Sequence, residues 1–292
     1  MNILVLGASG MAGHLITYYL REHGHIVSTL CGTTSLDNES ICLDLCNISK
    51  LKDYLSSYSF DVIINCAGML VKNSDLYKPN AVFVNSYIPH FLSDLYKSTS
   101  TKIIHLSTDC VFSGKNPPYS ENSICDGQLF YDRTKALGEL NNSKDLTFRM
   151  SIIGPDCNKK GIGLFNWFMS NSGNIKGYTN VYWNGISTTT LARAITKAID
   201  CDLSGLYHLV NPSHISKYDL INLFHKYFPN PNLSISPLEV DLIDKFLINS
   251  RTDFDFIIPN YSEMVIEIKN WIDNHSALYP HYFNRQHMYL SS

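Results

Sequence analysis

The sequence predicts an α/β chain with a doubly wound (Rossmann) parallel sheet and a smaller C-terminal α/β lobe. Three observations carry this. Short apolar runs alternate with helical stretches through the first 150 residues, a glycine turn links the first run to the first helix, and the alternation breaks down beyond Ser151.

The first run, Ile3–Leu6, is short enough for a buried strand and leads directly into Gly7-Ala8-Ser9-Gly10-Met11-Ala12-Gly13 and a helix over Met11–His23. Gly7 allows the tight turn, Gly10 lets backbone approach a pyrophosphate, and Gly13 lets the helix pack closely on the strand. The free N–H groups at the helix start, around Ser9 to Met11, then face phosphates. The spacing is Gly-x-x-Gly-x-x-Gly, and its position straight after a strand is the context a nucleotide-binding turn requires. Further strands are expected at Ile26–Leu30, Val62–Asn65, Ile103–Ser107 and Leu146–Met150. Helices are expected at Ser49–Ser57, Ala81–Tyr96 and Phe130–Asn142. Ligands of such a fold lie at the carboxyl ends of its strands, where Gly7, Asp44, Cys66-Ala67-Gly68 and Ser107-Thr108-Asp109 fall.

Residues 1–150 therefore read as a dinucleotide-binding half and 151–292 mostly as a substrate lobe, with some segments able to return to the first half. In the second half Gly154 to Gly185 is irregular. A helix is expected at Thr189–Asp200, a strand at Leu206–Val210, a helix capped by Ser216 and running to Tyr227, a loop at Pro229–Pro237, and an amphipathic helix at Ser262–His275. The aromatic tail Tyr279–Tyr289 could cover a surface or a dimer partner, or simply pack as a terminus.

Composition narrows the function classes. The chain has 292 residues, is 45% hydrophobic and 17% charged, and its net charge of −3 argues against a nucleic-acid binder. The first strand begins at residue 2, which leaves no room for a signal peptide, and no apolar run reaches the roughly 20 residues of a membrane helix, so a cytoplasmic protein is expected. The 8 Cys show no Cys-x-x-Cys pair and no cluster at metal-ligand spacing, so reduced, buried cysteines and no metal site are expected. Among the 11 His, His208 lies inside an apolar strand and reads as a satisfied histidine.

Tyr131 and Lys135 stand four apart on a helix and share one face, so the ammonium can sit beneath the phenol and favour its ionised form. With 18 Tyr in the chain, about one such spacing arises by accident, and the surroundings decide. Thr108, at the end of a strand, adds a hydroxyl, and the three groups suit carbonyl reduction.

Taken together, these residues resemble the extended short-chain dehydrogenase/reductase superfamily and, within it, the dTDP-4-dehydrorhamnose reductase family, nearly end to end. The resemblance rests on the glycine loop, Asn65-Cys66-Ala67-Gly68, Ser107-Thr108-Asp109 with Val111-Phe112 and Gly114, Tyr131 to Lys135 continuing into Gly138-Glu139, Phe148-Arg149-Met150-Ser151, and Gly205 to Val210. It implies a nicotinamide hydride donor and a nucleotide-activated 4-keto-6-deoxyhexose as acceptor. Hydride arriving at C4 leaves an alkoxide, which needs a proton from Tyr131 and a hydrogen bond from Thr108. Bringing a phenol of pKa about 10 near neutrality takes roughly 4 kcal/mol of anion stabilisation, which Lys135 and the oxidised nicotinamide can supply. The resemblance also implies a Lys135 bond to the nicotinamide ribose, substrate contacts at Asp109 and Val111, and adenine contact at Asp44 with Leu45 packed on the ring. A helix N-terminal acid is the plain alternative for Asp44. Beyond strand two, Leu30-Cys31-Gly32-Thr33-Thr34-Ser35 offers hydroxyls and no acid, which favours NADPH, with NADH the alternative.

The departures fall on the substrate. Ile152 stands where these reductases commonly carry Trp, and Gly127-Gln128-Leu129-Phe130 lacks the usual Pro and Asn. Trp183 is either a replacement pocket wall or a core residue. The nucleotide is open among dTDP, UDP, GDP and CDP. Competing readings are a 4-epimerase or dehydratase, against which Cys110 rather than Glu follows Thr108-Asp109, and a non-catalytic NADP-binding regulatory subunit. A homodimer is compatible with the resemblance.

Overall fold

The computed structural model describes residues 1–287. From the N-terminus run β1 (Asn2–Leu6), α1 (Met11–Glu22), β2 (Ile26–Cys31), β3 (Ile41–Cys42), α2 (Ile48–Ser57) and β4 (Val62–Asn65). Then come α3 (Val71–Leu76), α4 (Lys78–Val82), a π-helical turn over Phe83–Tyr87, α5 (Ile88–Leu95), β5 (Lys102–Thr108), a 3-10 turn at Asp109–Val111, α6 (Phe130–Leu137) and β6 (Leu146–Met150). The second half carries β7 (Ile152–Ile153), α7 (Leu164–Ser170), β8 (Gly173–Tyr178), β9 (Val181–Trp183), β10 (Ile186–Ser187), α8 (Thr188–Asp200) and β11 (Gly205–His208). It ends with β12 (Ile215–Ser216), α9 (Lys217–Tyr227), β13 (Leu233–Leu238), β14 (Ile243–Asp244), α10 (Tyr261–Asn274) and α11 (Pro280–His287).

Seven strands form one sheet in the order β3-β2-β1-β4-β5-β6-β11, and every neighbouring pair is parallel. The direction of winding reverses between β1 and β4, which opens a crevice at their carboxyl ends. β1 shows why the sheet is buried on both sides: Ile3 and Val5 join one apolar layer with Leu15 and Ile16 of α1, whereas Leu4 and Leu6 join another with Leu51 and Leu55 of α2 and Leu92 of α5. Each fully buried aliphatic side chain contributes about 1.5–3 kcal/mol relative to exposure. β11, from beyond residue 150, closes the far edge by pairing Tyr207 with Phe148.

Several expectations need correction. The single helix expected over Ala81–Tyr96 is broken: Pro79 and Pro89 each sit in a first helical turn, and a π turn lies between them. Pro89 has no N–H for the Asn85 carbonyl four residues earlier, so the regular ladder cannot run through. The helix expected at Phe130–Asn142 stops at Leu137 with Gly138 as its C-cap, and that glycine passes so close over the freed Asn85 carbonyl that a Cβ there would overlap it. The loop expected at Pro229–Pro237 overlaps β13, which pairs in parallel with β8, and the irregular stretch from Gly154 to Gly185 contains three short elements, α7, β8 and β9. The cysteines are not uniformly buried: Cys31 is, but Cys42 and Cys201 are exposed. Of the aromatic tail, Tyr279 and Tyr282 are buried in the core; Tyr289 lies outside the described residues.

Candidate active site

The glycine turn and the ends of β4 and β5 meet at one edge of the sheet. Gly7 has φ +72°, a left-handed conformation, and a Cβ on it would lie 2.8 Å from Cα of Ala67, so the turn and Cys66-Ala67-Gly68 are in contact. A Cβ on Gly13 would overlap the Gly7 carbonyl, whereas one on Gly10 would meet only that same oxygen at 3.4 Å. Gly10 is exposed and no side chain caps α1, which leaves the N–H groups of its first turn, at Met11 and beyond, open beside half-buried Ser9. Such a cradle fits the pyrophosphate of a dinucleotide.

Asp44 is exposed, and its Oδ1 accepts from the Cys46 N–H at 2.9 Å. It does not cap α2; Asn47 does, accepting from Lys50 N–H at 3.2 Å. Leu45 is half-buried on the Leu51 and Leu55 layer. Thr33, Thr34 and Ser35 are exposed just beyond β2, while the next acid, Asp37, is held by Arg21 at 2.6 Å.

β5 ends at Thr108, whose Oγ1 accepts from the Cys110 N–H at 3.1 Å and donates to Asp109 Oδ1 at 3.2 Å, capping the 3-10 turn. Tyr131 and Lys135 on α6 are both buried beside it. Burial pushes the Tyr131 phenol above its ordinary range, Cys110 and Asp109 push the same way, and the Thr108 hydroxyl opposes them. Lys135 Nζ donates to the Leu106 carbonyl at 2.7 Å and lies 3.3 Å from His105 Nε2, whose ring also meets Asn65 at 3.2 Å. Burial lowers the lysine to a pKa of about 8, against the opposing pull of Glu139 and Cys66. Lys135 by itself does not bring the phenol towards neutrality; the expectation joined it with the oxidised nicotinamide. The ammonium is engaged by Leu106 and His105, and burial governs the phenol.

The second lobe faces this edge. Trp183 is buried, with its indole N–H donating to Ser151 Oγ at 2.9 Å at the end of β6, and the Lys217 ammonium lies 5.2 Å from its ring centroid. Asn184 is spent internally, donating to the Leu247 carbonyl at 2.7 Å and the Asn211 carbonyl at 3.1 Å. Val111 requires correction as a candidate substrate contact: its side chain is wholly buried in the core with Phe112.

Sequence reasoning gave no role to three groups. Asn85, in the π turn, accepts from Met69 N–H at 2.8 Å and donates to the Met69 carbonyl and to Thr134 Oγ1, clamping the segment after Gly68 to α6. Its signal was the Pro89 four residues on. Glu139 accepts from Arg149 at 2.9 and 2.5 Å and from Ser107 Oγ at 2.6 Å, tying β5, β6 and α6 together behind Thr108. Arg149 also donates to Nε2 of His208, whose Nδ1 meets the Ile248 carbonyl, so burial and the guanidinium hold this histidine neutral with a pKa of about 4. The third is Lys217, a cation at a helix start. Among the described residues no cluster of three or more His, Cys, Asp and Glu could hold a metal ion, and no helix is long and apolar enough to cross a membrane.

Comparison with known proteins adds the following. The family model described as RmlD substrate binding domain matches residues 1–242. Methionine adenosyltransferase 2 subunit beta of Xenopus laevis is 24% identical over 250 residues, covering 80% of this chain and 74% of that protein. A dTDP-4-dehydrorhamnose reductase of Aggregatibacter actinomycetemcomitans is 30% identical over 140 residues, 47% of this chain and 45% of that one. Among solved structures, dTDP-4-dehydrorhamnose reductase of Bacillus anthracis in complex with NADP superposes with a TM-score of 0.78 at 19% identity, covering 92% of this chain and 98% of that chain.

Proposed function

Because the chain belongs to the RmlD substrate binding domain family, we propose that it is an NADPH-dependent reductase of the C4 keto group of a nucleotide-activated 4-keto-6-deoxyhexose. The dTDP-4-dehydrorhamnose to dTDP-L-rhamnose step, or a close analogue in surface polysaccharide precursor synthesis, is the best-supported substrate assignment, and NADH is the alternative donor. The observation that carries the reading is the convergence of Thr108, Tyr131 and Lys135 at the end of β5, beside an uncapped helix N-terminus with room for a pyrophosphate at Gly10. We assign residues 1–150 to dinucleotide binding and most of 151–292 to the substrate.

Gly7, Ser9, Gly10, Met11 and Gly13 hold the pyrophosphate, Asp44 and Leu45 the adenine, and Cys66-Ala67-Gly68 with Lys135 the nicotinamide side. When bound, the nicotinamide supplies the hydride. Tyr131 Oη gives its proton to the oxygen that develops negative charge at C4, and Thr108 Oγ1 donates a hydrogen bond to the same oxygen. The buried phenol stays protonated at neutral pH, as a proton donor must. Lys135 lies within one helical turn of the phenol, where its charge stabilises the phenolate left behind. Asp109 and the Trp183 wall hold the sugar.

The test is NADPH oxidation against 4-keto-6-deoxyhexoses carried on dTDP, UDP, GDP and CDP, the dTDP compound being epimerised in situ at C3 and C5. Turnover with dTDP supports the rhamnose assignment, and turnover with another nucleotide alone moves the substrate. A second reading, a non-catalytic NADP-binding regulatory subunit, is favoured by the similarity to an adenosyltransferase subunit beta over 80% of the chain. Silence across the panel with NADPH still bound would select it.

A further inference from the structure

Lys217 occupies the first position of α9, directly after its cap Ser216. A cation there opposes the helix dipole, whose positive end favours anions. The side chain is half-buried over the Trp183 ring, and among the described residues its ammonium has no hydrogen bond and no carboxylate within 4.0 Å. Burial lowers its pKa to about 8, and Asp109, across from it on the first lobe, is near enough for its charge to oppose that shift. At neutral pH the fold thus carries a crowded cation at the wrong end of a helix, where an uncharged side chain would be more stable. Its surroundings are Trp183, which lies against Ser151 at the end of β6, and the turn that begins at Thr108.

On the reductase reading, the only anionic group of a nucleotide-activated 4-keto-6-deoxyhexose is its diphosphate. We infer that Lys217 is a specificity-determining residue that binds a diphosphate oxygen of the substrate from the second lobe, and so selects sugars activated as nucleotides over free 4-keto sugars. This inference rests on the reductase reading for the sugar but not for the anion. The ammonium supplies a point charge with rotatable donors, suited to phosphate.

The test compares the full-length wild type with Lys217→Met and Lys217→Arg, each loaded with NADPH. Titration with dTDP and with inorganic pyrophosphate, by calorimetry, reads the anion site; steady-state NADPH oxidation reads KM and kcat. Loss of one charge-assisted contact predicts a Kd for dTDP and a KM for the sugar nucleotide raised about 10- to 100-fold by Lys217→Met. The KM effect should exceed the kcat effect. Lys217→Arg should recover most of the loss, NADPH affinity should hold, and the Lys217→Met melting temperature should stay level or rise. Equal affinities in wild type and Lys217→Met overturn the inference, as does a lowered melting temperature with KM unmoved, which would make Lys217 a tether towards Asp109. A wild type that binds no diphosphate overturns it too. Lysine-dependent dTDP binding without turnover of any 4-keto sugar keeps the anion site and removes the reductase reading.

Discussion

Nζ of Lys135 stands 3.3 Å from Nε2 of His105, at the bottom of the site, while donating to the Leu106 carbonyl. His105 is fully enclosed, and burial together with the lysine's charge keeps its ring neutral, so one ring nitrogen accepts, and the ammonium at Nε2 competes for it with the Asn65 amide at Nδ1. The lysine is thereby fixed to β5, one helical turn from the Tyr131 phenol.

Tyr131→Phe removes only a proton donor. Turnover should fall by about 100-fold or more while NADPH affinity is nearly kept. Fluorescence titration of NADPH beside a single-turnover assay checks this, and an equal loss in both would remove Tyr131 from the acid's role.

The depressed lysine makes a pH prediction. Lys135 titrates at about 8 in the fold against an ordinary 10.5, so between those values the unfolded chain binds more protons than the folded one. Stability contributed by this group therefore rises with pH across that window, and the penalty is fully present below pH 8. Relative to Lys135→Met, the wild type should gain up to about 3 kcal/mol between pH 7.5 and 10.5. Urea unfolding of both proteins at several pH values measures the difference; a flat difference would contradict the buried charge.

The glycine loop separates packing from binding. Gly10→Ala meets only one oxygen, at 3.4 Å, so it should fold with an unchanged melting temperature yet weaken NADPH by about tenfold or more, because the methyl projects where phosphate must come. Gly13→Ala would drive a methyl into the Gly7 carbonyl and push α1 off β1, lowering melting temperature and affinity together. Thermal shift with and without NADPH distinguishes the two, and a Gly10→Ala protein that binds NADPH normally would displace the pyrophosphate from this turn.

What the sequence made legible was the part built from short apolar runs and glycine spacing. β4 and β6 match their expected bounds, and β1, β2 and β5 lie within a residue of theirs at each end, because a parallel strand buried on both faces is a continuous apolar run. β13 was hidden although Leu233-Ser234-Ile235-Ser236 alternates, since Pro229, Pro231 and Pro237 signal a loop and only one partner strand holds it. The break at Phe83–Tyr87 was legible in Pro89, which leaves the Asn85 carbonyl without its helical donor, but the close approach of Gly138 to that carbonyl, 53 residues on, is in no local pattern. Thr108, Tyr131 and Lys135 could be found by motif. Lys217 needed the other lobe folded against it, and Val111, inside the motif, proved to serve the core.

The pair behind the site supports the last prediction. Arg149 is 2% exposed and Glu139 9%, and the bidentate contact between them is completed by Ser107, His208 and the Phe112 ring, 4.9 Å from the guanidinium carbon. Removing one partner of such a pair strands the other charge in a medium that solvates it poorly, which costs about 3–5 kcal/mol, more than the pair itself contributes. Glu139→Ala should therefore lower the urea midpoint strongly, whereas the double variant Glu139→Ala with Arg149→Met should recover much of that loss because no stranded charge remains. If the double variant is as unstable as the sum of the single ones, the two side chains act independently and the shape of the network, not its charge, holds β5, β6 and α6 together behind Thr108.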